Sequence, residues 1–153
     1  MWIGDDGGRE AAGFAGHAGD CVVRAIAIAS EMPYAEVYRA LHEATLADTW
    51  LRRRREHRYG ARARTHASPR FGVHRCVYDR HLAERGWIWT PTMKIGQGCT
   101  VHLRADELPG GRLIVRVSKH LCAVIDGVIH DTHDPSRGGT RCVYGYWSQP
   151  KAL

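Results

Sequence analysis

Cys21, His120 and Asp131 are the residues of this 153-residue chain whose types and spacing suit acyl transfer. Cys21 follows Asp20 at the head of the apolar run CVVRAIAIAS, where a helix is expected to begin. Amides of a first helical turn have no intrahelical acceptor and the helix dipole is positive there, so a thiol at that point is biased toward thiolate. His120 and Asp131 belong to HLCAVIDGVIHDT, residues 120–132, in which Asp126-Gly127 reads as a two-residue hairpin turn. That turn sets Ile125 opposite Val128, Val124 opposite Ile129 and Ala123 opposite His130; continued, it sets Cys122 opposite Asp131 and His120 opposite His133. Side chains alternate along a strand, so His120 and Asp131 fall on one face as diagonal neighbours, while Asp134 lies beyond the regular pairing. A carboxylate held on one imidazole nitrogen fixes the tautomer and orientation of the ring, which leaves the other nitrogen to take a proton from a thiol.

The elements that must position these groups are legible from periodicity. Asp20 is a candidate N-cap, and Val22, Ala25, Ile26 and Ala29 recur at helical spacing behind it. Met32-Pro33 ends that helix, and Pro33 opens a second through YAEVYRALHEAT, with Val37, Leu41, Tyr34 and Tyr38 turned to the core. A third helix is expected through VHRCVYDRHLAERG, closing at Gly86. Beyond it come short β-branched or aromatic runs, namely WIWT, TVHL, GRLIVRVS, HLCAVID, VIHDT and RCVYGYW, separated by turn residues. Helices first and strands afterwards predict one α+β domain spanning residues 1–153, with N-terminal helices packed on a C-terminal antiparallel sheet. Trp87 with Trp89, and Tyr144 with Tyr146, recur at period two, and these rings and Trp147 are expected in the core and in cleft walls.

The net charge of +6 is not spread over the fold. Residues 51–70 hold eight arginines and one glutamate, a net +7, which leaves −1 for the remainder. Arg52, Arg53, Arg54, Arg55, Arg58, Arg62 and Arg64 therefore form a basic segment, expected to be a mobile loop or, in its first part, an extension of the second helix, that offers electrostatic and sequence-independent attraction to nucleic acid. The five cysteines form no CxxC pair, so they are expected to be reduced, with Cys76, Cys122 and Cys142 packed as small hydrophobes and Cys99 exposed and unpaired. HDTHD carries ligand-type residues, yet strand alternation sends His130 away from His133, so neither a metal nor another cofactor is expected. With no leader of signal-peptide character and no apolar run of membrane-spanning length, the expectation is a soluble, cytoplasmic protein without membrane contact.

A cysteine at the head of an N-terminal helix, followed by a histidine on a strand of a C-terminal sheet and an aspartate on the next strand, resembles the papain-like cysteine peptidase superfamily. Within it, GDCVVRAIAIAS with PYAEVY behind it and the hairpin pattern HxxAVxDGxxxDT are most similar to small bacterial and phage proteins laid out like bacteriocin-processing peptidases. The resemblance implies Cys21 as nucleophile, His120 as general base and then acid, Asp131 as the orienting residue, and a peptide or protein substrate. It also implies a glutamine six residues before the cysteine to help bind the oxyanion, and that position is Ala15. The remaining oxyanion candidates are the Cys21 N–H, His17 and Asp20, the last a poor one as an anion. The alternative is a non-catalytic protein of the same fold acting as a nucleic-acid or protein adaptor through its arginines.

Overall fold

The computed structural model describes residues 1–16 and 19–150. In chain order the elements are β1 (Trp2–Gly4), α1 (Cys21–Ser30), α2 (Tyr34–Ala47), α3 (Thr49–Tyr59), three short 3-10 turns at Gly60–Arg62, Thr65–Ala67 and Pro69–Phe71, then α4 (Arg75–Ala83), β2 (Ile88–Pro91), β3 (Arg112–Val117), β4 (His120–Ile125), β5 (Val128–Asp131) and β6 (Val143–Ser148). The fold is mixed α+β: four helices lie against a six-stranded sheet of order β1-β5-β4-β3-β6-β2. No helix among the described residues is long and apolar enough to cross a membrane.

Helix α1 is buried almost all the way round because its sequence is apolar almost all the way round. It lies between β4 and α2, and Val23, Ile26, Val37 and Leu41 pack there with Ile114, Leu121, Ala123 and Trp147 from the sheet. The opposite face of the sheet carries Leu113, Val115, Cys122, Val124 and Ile129, covered by Leu103 and Leu108 of the long β2–β3 connection. Glu31, in the left-handed conformation, ends α1, and Arg112 at the start of β3 bonds both the Ile28 carbonyl (3.1 Å) and the Glu31 carboxylate (2.6 Å). A cation is thereby set at a helix C-terminus, where the dipole favours it.

The hairpin forms in the expected register, Ala123↔His130, Val124↔Ile129 and Ile125↔Val128. Asp126 and Gly127 both have positive φ, 47° and 80°, as a type I′ turn requires. Elsewhere the structure departs from the sequence reading. The sheet is not wholly antiparallel: Trp2–Gly4 adds a parallel edge strand on β5, pairing Trp2 with Ile129 and Gly4 with Asp131. TVHL forms no strand, only a single bridge between His102 and Cys142. The third predicted helix stops at Ala83, short of Gly86.

The first part of the basic segment is helical, as a helix of its own and not an extension of α2, and only short 3-10 turns follow it. Arg52, Arg53, Arg54, Arg55 and Arg58 lie on α3, whose N-cap Asp48 accepts a bond from the Leu51 N–H (2.9 Å), while Arg62 and Arg64 sit on and between the 3-10 turns. Unbranched arginines are good helix formers, and Leu51 and Arg55 turn inward, with Arg55 donating to the Thr45 carbonyl. Cys99 and Cys142, expected as separate thiols, form a disulfide. The bridge at His102↔Cys142 lays the loop bearing Cys99 along β6 and brings the two Cα atoms to 5.7 Å, a normal span for such a bond.

Candidate active site

Cys21 is the first residue of α1, and its own N–H is one of the first-turn amides that the helix cannot satisfy. His120 is the first residue of β4, the strand on which α1 packs, so the end of the sheet and the head of the helix meet at these two side chains. Both line one open cavity of about 350 Å3, with Tyr78, Arg116 and the Phe71–Val73 segment around them. Asp131, at the end of β5, bonds His120 Nε2 through Oδ2. The diagonal pairing expected from the hairpin is therefore present, and Nδ1 is the imidazole nitrogen left for Cys21.

Asp131 is itself held from four sides. Its Oδ1 accepts from the Thr132 N–H at 2.7 Å and faces the Arg24 guanidinium at 3.5 Å. Its carbonyl accepts from the Asp5 N–H (2.9 Å) and the Trp2 indole (3.1 Å), so strand β1 anchors the backbone beneath the carboxylate. Asp134 is turned elsewhere: it accepts from the Ser136 N–H at 2.9 Å.

Asp20 is 1% exposed and occupies the N-cap position, but its side chain caps nothing. The carboxylate points inward, where it meets Arg9 Nε at 2.9 Å, the Tyr34 hydroxyl at 2.6 Å and the Arg24 guanidinium. It is thus committed to a buried ion cluster and has no part in an oxyanion site. Arg24, one turn along α1 from Cys21, bridges the Asp20 and Asp131 carboxylates. Basic and acidic groups alternate along the row Arg9, Asp20, Arg24, Asp131 and His120, which ends at the cavity that Cys21 lines. His17, the other oxyanion candidate, lies outside the described residues.

The electrostatics follow from this packing. Burial pushes the Cys21 thiol up, but the nearby His120 imidazole, the Leu121 N–H and the charge of Arg24 outweigh it and hold the thiol below its ordinary value. Burial alone lowers His120; the bonds to Asp131 and Cys21 and their charges overcome it and carry the imidazole from 6.5 to about 9. Burial raises Asp131, and the His120 bond and charge, the Thr132 N–H and Arg24 hold it below the usual carboxylate range. Cys122, two residues along β4 from His120 and fully buried beside Val115 and Val124, is pushed far up by burial and is inert by comparison.

No family model, curated protein or solved structure matches this chain. The reading of the site therefore stands on its own geometry.

Two further residues belong to the site. Tyr78, 5% exposed, lines the Cys21 cavity, and its hydroxyl has no hydrogen-bond partner among the described residues. Burial raises the phenol, Arg116 opposes and Cys21 adds to the rise, so the hydroxyl remains a donor throughout the neutral range. Its only signal in the sequence is its place on the buried face of α4 with Val77 and Leu82. His133, just past the end of β5, brings its ring to 5.1 Å from that of His120. Ligand atoms of His120, Asp131 and His133 lie within 4.8 Å of one another, a set of the right types for a metal. Asp131 already holds His120 Nε2, however, so a metal bound there competes with that hydrogen bond. His130 is apart from the trio and bonds Asp5 at 3.1 Å.

Proposed function

We propose that the protein is a papain-like cysteine hydrolase that cleaves an amide bond of a peptide or protein through a thioester on Cys21. The observation that carries this reading is the row of alternating basic and acidic groups from Arg9 to His120, which ends at the cavity shared with Cys21 at the head of a buried helix. A lone packed cysteine has no use for such a row. In the reaction, the Cys21 thiolate attacks the carbonyl carbon and the π electrons move to oxygen. In this reading the Cys21 N–H and the Tyr78 hydroxyl, from two residues that line one cavity, serve as donors to that oxyanion in place of the glutamine that is Ala15 here. Collapse expels the amine, which takes the proton from His120 Nδ1. Water then attacks the thioester and gives its proton to the same nitrogen; the second collapse releases the acid and restores thiolate and imidazolium.

Treatment with p-nitrophenyl acetate and, separately, iodoacetamide tests the reading, with peptide mass mapping of the free cysteines Cys21, Cys76 and Cys122. Cys21 is expected to be acetylated first, to turn the ester over beyond one equivalent, and to lose both properties in His120→Ala. Tyr78→Phe is expected to leave alkylation unchanged and to slow acylation by about 10²-fold, the usual loss for one oxyanion donor. Equal modification of Cys21 and Cys76 with no turnover refutes the proposal.

A second reading is favoured by α3. Its outward face sets Arg54 over the exposed Trp50 ring at 4.5 Å and Arg58 over Tyr59 at 5.7 Å, with Tyr59 stacked on His66. Cations interleaved with aromatic faces suit single-stranded nucleic acid. Fluorescence anisotropy with a labelled oligonucleotide decides it: affinity must fall steeply with salt, and salt-insensitive or absent binding removes this reading.

A further inference from the structure

Beside the Cys21 cavity lies a second and larger one, about 590 Å3, in the range that receives drug-sized ligands. It is walled by the rings of Trp89 on β2 and Tyr144 on β6 and by Met93 and Ile95 of the following loop, side chains that an isolated domain exposes at a cost. Its charged lining is Arg75, Lys94 and Arg116, with no carboxylate among the lining residues. These cations are not equivalent. Arg75 stacks on Trp89 at 4.9 Å and is answered by Asp79 at 3.0 Å. Arg116 lies over Tyr144 at 5.6 Å and has no acidic partner among the described residues. Arg116 also lines the Cys21 cavity, so the same guanidinium stands on the boundary between the two.

A planar guanidinium, braced on an aromatic ring and lacking a counter-ion, is suited to a carboxylate held by two parallel hydrogen bonds. The surrounding rings and aliphatic chains suit a large apolar side chain. We infer that this cavity binds the substrate segment adjoining the scissile bond, and that it selects a bulky apolar residue next to a carboxylate, which Arg116 receives. The inference rests on the hydrolase reading for its meaning, but not for its test, since binding is measured on a protein that cannot turn over. The carboxylate has two possible sources, an acidic side chain or a chain terminus, and the ligands separate them.

Full-length Cys21→Ala protein is titrated, with Trp89 and Trp147 fluorescence or calorimetry as readout, with N-acetyl-Leu-Glu-Leu-amide, its Gln counterpart, N-acetyl-Ala-Glu-Ala-amide, and N-acetyl-Leu-Leu as free acid and as amide. A Glu ligand binding about tenfold more tightly than Gln places the carboxylate on a side chain, and the same preference for free acid over amide places it at a terminus. Either preference must vanish in Arg116→Gln, survive in part in Arg116→Lys, and be accompanied by weaker binding of the alanine peptide. Equal affinities of acid and amide forms, a preference unmoved by Arg116→Gln, or no binding at millimolar peptide overturns the inference. If Cys21 is acylated by the ester while these peptides fail to bind, the hydrolase reading stands and this one falls; the reverse pattern leaves a binding cleft without the chemistry.

Discussion

Replacing Asp131 by asparagine removes a charge while nearly preserving the shape of the side chain, which isolates the electrostatic part of the site. In the native protein the imidazole of His120 rises from 6.5 to about 9, and its hydrogen bond to Asp131 is the largest upward influence opposing burial. That rise corresponds to about 3 kcal/mol in favour of imidazolium. With the carboxylate gone, only Cys21 still opposes burial and the ring falls toward its ordinary value. At about pH 8 the protonated fraction then falls by up to about 30-fold, and the Cys21 sulfur loses most of the cation that favours its thiolate. The assay is the rate of iodoacetamide alkylation at Cys21 against pH, read by mass spectrometry with Cys76 as internal reference. The native profile is expected to show fast alkylation from mildly acidic pH upward, and the Asp131→Asn profile to rise only at alkaline pH. The same pair contributes to folding with a definite sign. A raised histidine stabilises fully below 6.5 and loses that contribution as pH climbs through about 9, so native stability falls across that window and the variant's does not. A variant whose alkylation profile superimposes on the native one refutes the assignment of Asp131.

Asp134→Asn is expected to leave the alkylation profile unchanged, because Asp134 bonds the Ser136 N–H and not His120; the same measurement checks it. Arg24→Met leaves the Asp20 and Asp131 carboxylates buried without their shared cation, and chemical denaturation should register a loss of about 3–5 kcal/mol. Gly145→Ala drives a Cβ to 2.4 Å from the Trp89 ring and 2.7 Å from the Thr90 carbonyl, where β2 pairs with β6. A destabilisation of about 1–3 kcal/mol by thermal or chemical unfolding is the expected outcome, with a shift in Trp89 emission.

The parts of the structure that sequence reveals are those fixed by short-range rules. A two-residue turn sets the register of its hairpin, so the pairing of His120 with Asp131 follows from Asp126-Gly127 alone. Likewise an apolar run behind Asp20 can only be a buried helix, which puts Cys21 at its head. What was hidden depends on long-range meetings or on segments without periodicity. Strand β1 is three residues long, too short for alternation to show, and forms because β5 offers an edge. Helix α3 has no apolar stripe beyond Leu51, and its other inward-facing residue is Arg55, bonded through Nη2 to the Thr45 carbonyl. Asp20 looks like a cap because caps are local; its true partners, Arg9 and Tyr34, are brought by a folded lead and a second helix. Tyr78 is buried on α4 yet lines the cleft, which no pattern in the sequence marks.

The Cys99–Cys142 bond gives the chain two opposed demands on its redox surroundings. The bond closes a loop across 43 residues that includes β3, β4 and β5, and such a cross-link restricts the unfolded ensemble by about 4 kcal/mol. It also tethers the loop carrying Met93 and Ile95, one wall of the larger cavity. Cys21 requires the opposite state, since only a reduced sulfur attacks a carbonyl. The two sulfur populations therefore define a window of potential: more oxidising than the window, Cys21 is capped; more reducing, the wall of the cleft is released. In a glutathione series, turnover is expected to pass through a maximum, where a thiol hydrolase without a structural cystine reaches a plateau.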